Sequence, residues 1–410
     1  MESRPGMSRK EFLKLSAAAG AGLALGASGL GAIVEMTKLS GSAAPSSPSS
    51  ADPKDGIVPF YDKHQAGIVT PQQTYLYLAA FRVTTQSKSD LILMLKDWTK
   101  FCDLSAAGGT MKLSDSALVP PTDTGETLDL PPARLTVTFG FGPSFFGNGA
   151  FGLSKLTPRH LQDIPRMPRD NLDSSISGGD ICAQVCADDQ QVAFHAVRNL
   201  IRLSTGKASL KWMQEGFASG TPGKTPRNLF GFKDGTANQL HDSPAGYDQV
   251  VWAGSDEPEW MQGGSYLAYR KIQMKIESWD RTSLADQEAT FGRKKVSGAA
   301  FGVSGEFDTF DAAKLPTDSH VRLAKQTGQL IHRRAYSYTD KVDPRTGNVD
   351  AGLLFISYQR NPDQQFLPML RLMQSSDALN SYVAHVGSAM FACPAGLSAG
   401  RYIGQSILEA

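Results

Sequence analysis

Several things this chain has little of narrow its reading before any motif is considered. Four cysteines in 410 residues cannot form the disulfide framework that replaces a core in small secreted domains. Charged residues make up only 20% of the sequence, and 41 Lys+Arg against 40 Asp+Glu leave a formal charge of +1. A protein built on phosphate neutralisation carries a clear basic excess, so no nucleic acid is expected as a partner. After the N-terminal region no run of 18 apolar residues occurs, and none of the later segments reads as a membrane span. HExxH, GxSxG and Walker loops are all missing, which removes the commonest metalloprotease, hydrolase and NTPase signatures. Gly140-Phe-Gly142 lacks the third glycine and the downstream acid of a dinucleotide fingerprint. What remains is a neutral chain with 41% hydrophobic residues, long enough for two or three domains of roughly 100 to 200 residues each.

The first 44 residues differ in kind from the rest. Ser8-Arg-Lys-Glu-Phe-Leu-Lys14 precedes an Ala/Gly/Leu-rich stretch to about Val34, then Ser42-Ala-Ala44 and a Ser/Pro run. Basic, apolar and small-residue segments in that order are the anatomy of an export signal. Its start is similar to the twin-arginine pattern, with Lys10 in place of the second arginine; an uncleaved amphipathic anchor is the alternative. Removing residues 1–44 takes five basic residues from 41 and three acidic ones from 40, leaving 36 against 37. Residues 45–74 read as a linker and N-terminal arm.

In the body, residues 75–83 alternate and are rich in aromatics, which predicts a strand. Ser89 is expected to cap a helix whose Leu91, Met94, Leu95, Trp98 and Phe101 recur at helical spacing. Strands are expected over 134–140 and 180–186, a helix over 189–202 and a strand over 210–217, with 103–132 a turn-rich surface excursion. Cys182 and Cys186 share one face of their strand, two steps of about 6.5 Å apart, too far for a bridge, and read as core thiols. The second part has the same element order: a strand over 266–276, a helix over 283–291, strands over 335–338 and 353–359, a helix over 364–373 and a strand over 389–393. Each order is β-α-β-β-α-β. The fold class is therefore α+β, with two ferredoxin-like halves of antiparallel sheet and flanking helices, at 75–222 and 223–410, divided within the Gly/Pro-rich 219–226.

Seven histidines cannot be ranked by composition. Asn228-Leu-Phe-Gly-Phe-Lys-Asp-Gly-Thr-Ala-Asn238 stands out, because Asp234 lies between Gly231 and Gly235 and beside Phe230 and Phe232. Asp-Gly is by default a turn, yet glycine allows close approach of a flat apolar ligand and the aromatics exclude water. A second cluster is Asp318-Ser-His-Val-Arg-Leu323 followed by Ile331-His-Arg-Arg-Ala-Tyr-Ser-Tyr338. These segments, with 61–73 (YDKHQAGIVTPQQ) and 352–360 (GLLFISYQR), resemble the dye-decolorizing haem peroxidases, and within them the exported deferrochelatase/peroxidase branch associated with ferrous iron uptake.

The resemblance implies one haem b per chain, held mainly by the C-terminal half. It implies His320 as the proximal iron ligand, Asp234 as the distal acid/base and Arg333 as the distal arginine. Arg334 is expected at a haem propionate, and Gly235 and Phe355 against the cofactor. Asp363 is the candidate acceptor for the second imidazole N–H. Hydrogen peroxide and a small organic or dye-like reductant are the implied substrates, an iron-uptake permease an implied partner, and the periplasm or cell exterior the implied location; a homodimer is compatible. Two departures from the branch are His332, where an apolar residue is usual, and a short spacing from His320 to the arginine pair. Two alternatives stay open: a haem-binding iron-acquisition component without peroxidase turnover, and a haem-free ferredoxin-like binding protein.

Overall fold

A computed structural model describes residues 56–410 apart from 113, 115, 222, 343 and 345; the expected export signal lies outside the described residues. The first half runs β1 (Tyr75–Val83), α1 (Lys88–Ala106), β2 (Thr136–Phe141), β3 (Ile181–Ala187), α2 (Gln190–Leu203) and β4 (Ala208–Phe217). Strand β1 is apolar nearly throughout because both of its faces are buried: Tyr77, Ala79 and Phe81 pack under the helices, while Leu76, Leu78 and Ala80 enter a second core. Helix α1 begins two residues earlier than expected. Its cap is Ser87, whose hydroxyl accepts from the Asp90 N–H at 3.2 Å, and Ser89 only bonds to that hydroxyl. Asp189 caps α2 in the same way, at 3.0 Å from the Val192 N–H. The excursion before β2 is not wholly superficial, since Asp123 is buried and receives a 2.9 Å hydrogen bond from His195 on α2.

The second half runs β5 (Ser265–Met274), α3 (Leu284–Phe291), α4 (His320–Gln326), β6 (His332–Arg333), β7 (Tyr336–Val342), β8 (Val349–Gln359), α5 (Phe366–Ser376) and β9 (Val383–Cys393). Strand β9 is twice as long as expected, because His385, Gly387 and Ser388 interrupt the apolar alternation by which a strand is read. Helix α4 was not expected at all: its seven residues show no apolar repeat.

Each half has a four-stranded antiparallel sheet of the same order, β4-β1-β3-β2 in the first and β9-β5-β8-β7 in the second. The two sheets are not separate. Phe141 of β2 pairs with Ala392 of β9, and Phe217 of β4 pairs with Ser337 of β7, so eight strands close into a ring with β6 added beside β8. Each junction is a single residue pair and covers only part of an edge whose N–H and C=O groups would otherwise be unpaired. The ring interior holds Leu76, Cys182, Cys186, Trp212, Tyr269, Tyr336, Tyr358 and Cys393, and the helices cover the outer faces. All four cysteines are buried free thiols. No helix among the described residues is long and apolar enough to cross a membrane.

Gly352 marks a tight point of the ring. A Cβ there would fall inside the van der Waals shell of the Ile272 carbonyl oxygen on β5. The Gly352→Ala variant is expected to lose about 3 kcal/mol or more, since only backbone movement relieves the clash, whereas Asp189→Ala costs about 1 kcal/mol through its cap. Urea unfolding midpoints of the two variants check the ranking, and equal losses would show that β5 and β8 can separate without cost.

Candidate active site

The turn carrying Asp234 is built around Asn228. The Asn228 side-chain oxygen accepts from the N–H groups of Phe230 and Phe232 at 3.1 and 3.3 Å, and its own N–H donates to the Phe232 carbonyl at 2.9 Å. Gly231 at φ +81° lets the chain double back, which buries both phenylalanines. The Asp234 N–H then donates to Pro226 O at 2.9 Å, and Gly235, at φ +110°, has open space where a Cβ would stand.

Strand alternation decides what Asp234 meets. Arg333 is opposite Ser357 on β8 and shares the outer face with Phe355, and its Nη2 reaches Asp234 Oδ1 at 2.5 Å. Arg334 is the next residue and points the other way. Its guanidinium is buried in the ring and bonds to Thr70 O and Gln73 Oε1, so the expectation that Arg334 meets a propionate is corrected: a β-strand cannot turn two neighbouring side chains to one face. Phe355 does lie on the outer face, touching the cores under both sets of helices and stacked on Phe366 at 6.0 Å.

His320 opens α4, and its Nδ1 lies 2.7 Å from Asp377 Oδ2. A carboxylate only accepts, so Nδ1 carries the proton and the Nε2 lone pair is left without a partner among the described residues. Asp363 is not that acceptor, a second correction: it pairs with His160 Nδ1 at 2.7 Å. Asp363 and Asp377 flank opposite ends of the eleven-residue α5, a helix about 16 Å long. Asp377 also caps the following turn through the Leu379 N–H at 2.8 Å, a signal that reads in sequence as an ordinary cap.

Between these polar groups lies a layer of rings. The His320 ring is 5.8 Å from Phe291, Phe291 stacks on Phe232 at 4.1 Å, and Phe230 packs on Trp279 at 4.5 Å. Beside it, a cavity of about 280 Å³ is lined by Asp234, Gly235, Asn238, Arg333, Phe217 and Leu353. A free imidazole nitrogen, apolar aromatic walls and an unobstructed glycine are what an iron porphyrin requires of its host, and these residues fit one; the acid–arginine pair adds groups that binding alone does not need. Among the described residues no group of three or more His, Cys, Asp or Glu side chains could hold a bare metal ion.

Next to Arg333, His332 Nδ1 is 3.3 Å from His241 Nε2. Burial lowers the His332 value from 6.5 to about 3 and that of His241 in the same direction. A histidine held neutral in the fold takes up a proton on unfolding, so its contribution is complete above pH 6.5 and is lost as pH falls toward 3. Replacing His332 by Leu should flatten the fall in stability between pH 6 and 4, by up to about 1.4 kcal/mol per pH unit; unfolding midpoints against pH test this, and an unchanged slope would count against a neutral buried His332.

A family model described as Dyp-type peroxidase, N-terminal, matches residues 65–218, and one described as Dyp-type peroxidase, C-terminal, matches residues 225–398. The deferrochelatase of Escherichia coli (strain K12) is 38% identical over 380 residues, covering 88% of this chain and 89% of its own. The ferric structure of DtpA from Streptomyces lividans is similar with a TM-score of 0.80 at 34% identity, covering 89% of this chain and 100% of that one. A DyP-type peroxidase from Cellulomonas bogoriensis gives 0.78 at 36% identity, with 87% and 99% covered.

Proposed function

The chain belongs to the Dyp-type peroxidase family and is a haem-dependent peroxidase that reduces hydrogen peroxide at the expense of an organic reductant, and from that premise we propose how its residues divide the work. His320 would hold the haem iron through Nε2, and Asp377 fixes its tautomer and ring orientation through Nδ1. The aromatic layer of Phe232 and Phe291, with Phe355 on the sheet, would form the apolar walls, and these residues support a cofactor site in the C-terminal half. When bound, haem supplies the iron that takes up the two oxidising equivalents of peroxide and returns them to reductants one electron at a time.

Asp234 is the acid/base. Its Oδ1 is engaged by Arg333, so Oδ2, which accepts only a long 3.5 Å hydrogen bond from Asn228 Nδ2, is the oxygen with lone pairs left to take the proton from one peroxide oxygen and give it to the other, which leaves as water. Arg333 holds the Asp234 carboxylate in place before that transfer and neutralises charge on the departing oxygen during it. The 2.5 Å pair between Arg333 and Asp234 carries this reading, because storing a porphyrin requires neither group.

A second reaction is favoured by the name deferrochelatase borne by relatives at 38% identity: release of iron from haem with the porphyrin left whole. Export through the twin-arginine-like segment Ser8–Lys14, action in the periplasm or outside the cell, delivery of iron to an uptake permease and assembly as a homodimer belong to the same proposal. Appearance of metal-free porphyrin fluorescence on incubation with haem without peroxide tests the iron-release reaction.

The Asp234→Ala and Arg333→Leu variants are expected to keep haem and to react with peroxide about 10² to 10⁴ times more slowly. His320→Ala should fail to retain haem, and Asp377→Ala should weaken retention about 10- to 100-fold. Stopped-flow absorbance and the Soret band read these outcomes. Parental rates in both distal variants would refute the assignment, and lack of a Soret band after reconstitution of the parent protein would refute every haem-based reading.

A further inference from the structure

Resting on that reading, we infer that Asn238 is a positioning residue that sets Arg333 against Asp234 from the backbone side. Asp234 and Arg333 come from a turn and a strand that meet only in the folded molecule. Among the described residues the Arg333 guanidinium has Asp234 as its one partner, and that contact must loosen whenever Asp234 exchanges a proton or peroxide enters. What keeps Arg333 in place then is its main chain.

Strand β6 is two residues long and pairs on one side only, through His332 with Tyr358 and Arg333 with Ser357. The Arg334 N–H turns toward β8, donating to Ile356 O at 2.9 Å, so the N–H and C=O of Arg333 face away from it. Both end on Asn238: the Arg333 N–H donates to Asn238 Oδ1 at 3.0 Å, and Asn238 Nδ2 donates to Arg333 O at 2.7 Å. One carboxamide thus stands in for a neighbouring strand. Asn238 lies four residues after Asp234, and its own N–H donates to Gly235 O at 2.9 Å, so the residue that fixes the arginine belongs to the turn that presents the acid.

The clamp needs a donor and an acceptor side by side at one reach. Alanine offers neither, and a carboxylate only accepts. A protonated carboxyl offers both, so an aspartate at this position should regain the clamp on acidification.

The test uses full-length haem-loaded protein. Asn238→Ala is expected to slow the peroxide reaction about 10- to 100-fold, the scale of a misplacement near 1 Å, and to weaken binding of inorganic fluoride to the ferric protein, read from the Soret shift. In an Arg333→Leu background the same change should cost nothing further. For Asn238→Asp, the ratio of its peroxide rate to the parent's should rise as pH falls through the carboxyl range. Rates and fluoride affinities within twofold of the parent for Asn238→Ala, or a flat ratio for Asn238→Asp, overturn the inference. If Asn238→Ala does not accumulate with haem, the Asn238→Asp profile alone decides. Arg333→Leu reacting at the parental rate would instead condemn the distal pair itself, whereas a slow Arg333→Leu beside a normal Asn238→Ala condemns only the role of Asn238.

Discussion

A β-strand offers its side chains alternately to two faces, and in the closed ring of this protein both faces are buried. That constraint governs the site. It sends Arg333 outward to Asp234 and its neighbour Arg334 inward to Thr70 and Gln73. It also puts Phe355 outside while Leu354 and Ile356 enter the ring core. A one-residue slip of β6 would turn Arg333 into the ring and away from Asp234. The register is held by pairing with β8 on one side and by the Asn238 carboxamide on the other.

The two halves are joined through more than their edge strands. Arg270 on β5 reaches Asp170, which lies between β2 and β3, and both are almost fully buried. His385 Nδ1 and Ser388 Oγ each accept a further Arg270 N–H at 3.0 Å, and His385 is pushed down to about 3 by burial and by that guanidinium. An internal charge is tolerable only when fully paired, and removing one partner of such a pair typically costs about 3–5 kcal/mol. The ion pair ties the first half to the sheet that carries Arg333 and Phe355.

On the other side of the aromatic layer the logic is helical. Seven-residue α4 is short, yet its first residue is His320, and the imidazole is fixed by Asp377 at the far end of α5. Two helix ends therefore define the imidazole, while a turn and a strand define the acid and the arginine. Rigid elements under packing constraint hold such groups more closely than free loops can.

Much of this was legible in the residues. The strand at Tyr75–Val83 and the helical spacing of Leu91, Met94, Leu95 and Trp98 could be read from the residues, because period two and period 3.6 are local consequences of backbone geometry; the burial of both faces of that strand could not. The motifs around Asp234, His320 and Arg333 carried the family and its cofactor. Helix α4 and most of β9 were not legible, since neither has an apolar repeat. Nor were Asp377 as the partner of His320, the inward turn of Arg334, the Asn238 clamp or the closing of two sheets into one ring. Each of these is a meeting of groups far apart in the chain, settled by which edges pair and which helix ends converge. The sequence alone determined the element order and the chemical inventory; tertiary packing alone decided which acid, which arginine and which carboxamide share a place, because local periodicity carries no information about distant register.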